Sequence, residues 1–121
     1  MKYFKIKFLA LMALIVLFSA CSGGIPKCND KDVQNLLTDI ILEHNFGGFS
    51  EVDRKKFKFT YSGFMSELTD KESKTQYCRA QVKANKSVNS RPYKWDAWIN
   101  YSTRYTDDGM LYVEITRLDD V

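Results

Sequence analysis

The apolar residues of this chain keep two different periods, and the change from one to the other falls at Gly47-Gly48. Upstream, Val33, Leu36, Leu37, Ile40, Ile41 and His44 recur at i, i+3, i+4, i+7, i+8 and i+11, which is one face of an α-helix. Asn29 is placed to cap that helix, and Asp30 and Asp32 fall in its first turn, where the helix dipole favours negative charge. The glycine pair stops it, so the spacing predicts an amphipathic helix over residues 30–45. A chain with one such helix and a period of two thereafter must bury the helix stripe against a sheet.

The strands read off the same way. Phe57, Phe59 and Tyr61 share one side of residues 56–61, and Thr69 to Lys74 is a polar turn region. In residues 77–84, Cys78, Ala80, Val82 and Ala84 alternate with Tyr77, Arg79, Gln81 and Lys83. Small side chains on the first set would let the helix approach closely. Asn85 to Lys94 is expected to be a loop, broken by Pro92. Beyond it Trp95, Ala97, Ile99, Tyr101, Thr103 and Tyr105 face one way, and Asp96, Trp98, Asn100, Ser102 and Arg104 the other. Asp107-Asp108-Gly109 is a hairpin turn. The last strand covers about residues 111–118, with Leu111, Val113 and Ile115 inward and Tyr112 and Glu114 outward. The fold class is therefore α+β, one N-terminal helix packed on an antiparallel sheet of about four meandering strands. Over residues 28–118 this element order resembles the cystatin-like or NTF2-like arrangements of small envelope lipoproteins. The resemblance implies an architecture, and no family-specific functional motif accompanies it.

The N-terminus carries an address. Lys2, Lys5 and Lys7 precede an apolar run from Phe8 to Phe18, and small residues follow at Ser19 and Ala20 before Cys21. A basic start, a short apolar stretch and a small-residue exit make a secretory signal. The run is too short for a bilayer core, which needs about 20 apolar residues. Ser19-Ala20-Cys21 resembles the lipobox of bacterial lipoproteins, with Phe18 standing where that pattern prefers leucine. The resemblance implies cleavage before Cys21, lipidation of that cysteine, and a membrane held through its acyl chains. By the sorting rule of enteric-type lipoproteins, Ser22 implies the periplasmic face of the outer membrane. An ordinary signal cleavage before Gly23, permitted by Ala20 and Ser22, is the rival reading. The organisation expected is a signal over 1–20, a lipidated cysteine and flexible tether over 21–27, and a single domain over 28–121.

Removing residues 1–20 takes away three lysines and no acid, so the whole-chain excess of +3 belongs to the signal. A nucleic-acid partner, which would want surplus basic charge, finds no support. About a hundred residues remain, enough for one small core. With Cys21 given to lipid, Cys28 and Cys78 are left, and in an oxidising compartment they are expected to form a disulfide. One histidine and no paired-cysteine motif leave too few ligands for zinc.

No catalytic signature or phosphate-binding glycine pattern is present, so the chain is read as a non-enzyme that needs no cofactor or metal. His44 continues the helix stripe and is expected to be a half-buried packing residue. Asp107-Asp108 is a turn and Asp119-Asp120 the tail, neither of them buried acid–base machinery. Arg54-Lys55-Lys56 with Lys58 reads as a solvated strand edge, or as a contact for anionic headgroups. Tyr77, Trp98 and Tyr112 fall on three successive strands opposite the helix-facing side, among Arg79 and Arg104. Aromatic and arginine side chains are what protein-binding hot spots use, though ordinary cross-strand pairs would produce the same pattern. The expected function is a lipid-anchored envelope protein that binds a protein partner, as an inhibitor, an immunity or exclusion factor, or an assembly factor. The first alternative is a small-ligand carrier with an aromatic pocket between helix and sheet, lined by Phe57, Phe59, Trp95 and Tyr101, and the second is an enzyme of unrecognised type, for which a cleft gathering His44 with a carboxylate would speak.

Overall fold

The structure, a computed structural model, describes residues 13–17, 24–88 and 91–120. Its elements are β1 (Ala13–Leu17), α1 (Lys31–Asn45), α2 (Glu51–Arg54), β2 (Lys58–Asp70), β3 (Thr75–Val88), β4 (Arg91–Tyr105) and β5 (Met110–Asp120). Strands β2 to β5 meander antiparallel, with α1 packed on one face, so the α+β arrangement holds. The full sheet order is β1-β5-β4-β3-β2. The fifth strand was not anticipated: residues 13–17, read as part of a signal, pair antiparallel with β5.

Asp30 rather than Asn29 caps α1. Its backbone is extended and its Oδ1 accepts the Asp32 N–H at 2.9 Å, while the Asn29 carbonyl accepts the Gln34 side chain at 3.0 Å. Val33, Leu36, Leu37, Ile40 and Ile41 are buried, each contributing about 1.5–3 kcal/mol by leaving water. The buried stripe stops there: His44 is exposed, not half-buried, and Phe46 at the C-cap turns inward instead.

Under the helix lie Cys78, Ala80, Val82 and Ala84 of β3, Ala97, Ile99, Tyr101 and Thr103 of β4, and Leu111, Val113 and Ile115 of β5. Cys28 and Cys78 form a disulfide with Cα atoms 5.8 Å apart, joining the approach to α1 to the middle of the sheet. The Tyr101 hydroxyl donates to the Cys28 carbonyl at 2.7 Å, so a core phenol and the disulfide hold the same turn.

Two expectations need correction. The loop over residues 85–94 is ladder on both sides: Asn85 pairs with Lys94, Lys86 with Tyr93, Ser87 with Pro92 and Val88 with Arg91. Proline is tolerated there because it lies near the start of its strand. The basic cluster is a strand edge only at Lys58. Ser50 caps the four-residue helix α2, which carries Arg54 and ends at Lys55, so β2 begins only at Lys58.

Candidate binding face of the sheet

On the side away from α1, the registers Leu68–Tyr77–Ser102–Glu114 and Met65–Arg79–Asn100 run across the strands. The alternation that buries Cys78 and Ala80 turns Tyr77 and Arg79 outward. Arg79 Nη1 donates to Asn100 Oδ1 at 2.6 Å, and its guanidinium carbon stands 4.9 Å from the centroid of the Trp98 ring. Asn100 Nδ2 in turn donates to Glu67 Oε1 at 3.4 Å. Trp98 also lies against Gly63 of β2, where an added Cβ would come within 3.2 Å of the indole. The indole is therefore held on its own sheet by Arg79 and Gly63, and only part of it faces solvent.

The exposed apolar surface lies beside it. Leu68 is 60% exposed, Met65 44% and Tyr77 39%, all on this face. Sequence reasoning missed Met65 and Leu68. The register of β2 against β3 shifts between Ser62 and Met65 and again between Ser66 and Leu68, so simple alternation does not find them. Gly63, with φ of +65°, was the available signal, since glycine inside a strand pattern marks a bulge.

Arg104 and Tyr112, the other expected partner-binding residues, pair with each other across β4 and β5. Burial pushes the Tyr112 phenol above its ordinary value, Glu114 pushes the same way, and Arg104 opposes them. The Arg104 Nε is buried and has no hydrogen-bond partner among the described residues. Buried Ser102 lies between this pair and Tyr77, so the face divides into a β2–β3–β4 patch and a β4–β5 pair.

The aromatic set proposed as a pocket lies at the end of the core. Phe46 stands 4.5 Å from Phe57, 5.3 Å from Trp95 and 5.9 Å from Phe59, ring centroid to centroid, and so occupies the space those rings enclose. Lys86, itself buried, places Nζ 4.8 Å from the Phe49 centroid and 5.3 Å from that of Phe57, with Asp53 Oδ1 at 3.8 Å. This lysine is consumed by internal contacts. An open groove of about 400 Å³ between α1 and α2 is lined by Asp39, Leu42, Glu43, Glu51, Arg54 and Lys55. Burial, then the neighbouring Glu43, raise the Asp39 carboxyl above its usual range. Arg54 and Lys55 thus share a groove with three acids, and their charge is locally balanced.

Cys21, where lipidation is expected, and Phe18, Ser19 and Ala20 before it lie outside the described residues. Among the described residues, no cluster of three or more His, Cys, Asp or Glu could hold a metal, and no helix is long and apolar enough to cross a membrane. No protein-family model matches the chain, and neither the curated proteins nor the solved structures contain a significant match to it.

Proposed function

We propose that this chain is a secreted, lipid-anchored protein of the bacterial cell envelope that works by binding a protein partner through the outer face of its sheet. The observation that carries the reading is the exposed patch of Met65, Leu68 and Tyr77 beside the Arg79–Trp98 stack. Apolar side chains around a pre-positioned arginine and aromatic pair have the composition of a hot spot, and the rigid strands keep the ordering cost of binding low. Arg104 and Tyr112 would sit at the rim. Anchoring through Cys21 rests on the sequence pattern Phe18-Ser19-Ala20-Cys21, and Ser22 speaks for the periplasmic side of the outer membrane. The packing of Phe46 among Phe57, Phe59 and Trp95 favours this reading over a carrier, because those rings already have an occupant.

The test is site-specific photo-crosslinking in a bacterial host, with the crosslinker at position 68 and a control at exposed Lys94, which pairs with Asn85 at the far end of the β3–β4 ladder. A discrete adduct from position 68, absent from position 94 and abolished by Tyr77→Ser with unchanged melting, is the expected result. No adduct from position 68, or one that survives Tyr77→Ser, contradicts the platform.

A further inference from the structure

The two edges of the sheet are built differently. The β2 edge carries two register irregularities and exposed Lys58, devices that discourage strand addition. The β5 edge has none of these over Met110–Glu114. That segment contains no proline and one charge, and the irregularity between β4 and β5 falls beyond it, at residues 115–117. Instead the edge is filled: Ala13–Leu17 pairs with it antiparallel, Leu14 opposite Val113 and Val16 opposite Leu111. Leu111 and Val113 are fully buried core residues, so this edge belongs to the wall of the core itself.

Residues 13–17 lie inside the segment read as a signal. We infer that cleavage before Cys21 opens the Met110–Glu114 edge as a strand-acceptor site, which takes an extended aliphatic segment of a partner polypeptide in antiparallel register. The inference rests on the lipoprotein reading, because without cleavage the edge stays occupied. The occupant's chemistry follows from the strand now seated there: about five residues, extended, aliphatic at the positions opposite Val113 and Leu111. Main-chain hydrogen bonds to the edge supply affinity in such additions, and alternate side chains supply selectivity. A lone strand fits better than a second copy of this chain. Helix α1 runs beside both β5 and β1, and a second copy's β5 would bring its own α1 over the same slot.

The test begins with the full chain expressed in a bacterial host and recovered from the membrane fraction, its starting residue fixed by intact mass. Amide hydrogen exchange of β5 is then followed with and without a synthetic peptide carrying residues 13–17, ALIVL, between lysine pairs. For a chain beginning at Cys21, the peptide is expected to slow exchange over 110–114 saturably, by about tenfold or more. The same peptide with aspartate at the positions of Leu14 and Val16 is expected to have no effect. A Cys21 start with exchange unchanged by the peptide overturns the acceptor site and leaves the lipid anchor standing. A processed chain that is dimeric, with 110–114 already protected, assigns the edge to a second copy and overturns the partner strand. A chain that keeps residues 1–20 and protects 110–114 without peptide overturns both readings.

Discussion

Gly63 decides where a whole strand points. Its φ of +65° is in the left-handed region, and a Cβ there would press on Trp98 at 3.2 Å. Gly63→Ala is expected to lower stability by about 1–2 kcal/mol, read as a reduced urea midpoint at unchanged slope. The same variant should weaken the stacking of Arg79 on Trp98 and so disturb the proposed binding patch. The consequence of this glycine was not legible from alternation alone. Phe57, Phe59 and Tyr61 follow a strict period of two and were found, whereas Met65 and Leu68 lie beyond the bulge, where the phase has slipped. Lys86 escaped notice for another reason. A lysine in a polar stretch looks solvated, and only the folded arrangement brings Phe49 and Phe57 to its ammonium.

Among the elements, α1 was the most readable, because five buried aliphatics at helical spacing leave little choice of face. Its cap was off by one residue, since Asn29 and Asp30 are both competent caps and backbone geometry chooses between them. Helix α2 is too short for any period to show, and the β3–β4 hairpin was hidden by Pro92, normally a strand breaker. The link between α1 and the sheet through Cys28 and Cys78 followed from counting cysteines on the expectation of an oxidising compartment, and the disulfide is present across a separation of 50 residues. Closing a loop of that size stabilises the fold by about 4 kcal/mol in the chain-entropy model. Cys28→Ser with Cys78→Ser, or complete reduction, should therefore remove a large share of a small domain's stability and drop its melting temperature steeply. A change in melting of only a degree or two would mean that the helical stripe alone holds α1 to the sheet. The antiparallel pairing of β1 had no sequence signal apart from its apolarity, which a secretory signal explains equally well.

For the whole molecule, the phenols of the core set the alkaline limit. Burial raises Tyr61 far above the ordinary value of 10.0, assisted by Asp39 and opposed by its hydrogen bond to Thr38; burial raises Tyr101 likewise, with Tyr61 beside it. The folded chain thus keeps two protons that the unfolded chain releases near the ordinary tyrosine value. Their contribution to stability is complete below that pH and is lost as the pH climbs above it, because the native state then binds more protons than the unfolded one. Unfolding temperature should fall progressively above pH 10.0, and the phenolate absorbance of two tyrosines should appear only together with unfolding. Early ionisation of all tyrosines, with the fold intact, would contradict this packing.

The protein as proposed depends on one chain of steps: an N-terminal signal removed, a lipid added to Cys21, a domain closed by its disulfide, and a sheet left facing its partner. Intact mass of the protein recovered from a bacterial membrane fraction tests that chain most directly. The expected species starts at Cys21, carries a diacylglyceryl group with or without a further acyl chain, and is two hydrogens lighter than the reduced form, for Cys28–Cys78. A chain without lipid, whether it begins at Gly23 or still at Met1, would contradict it.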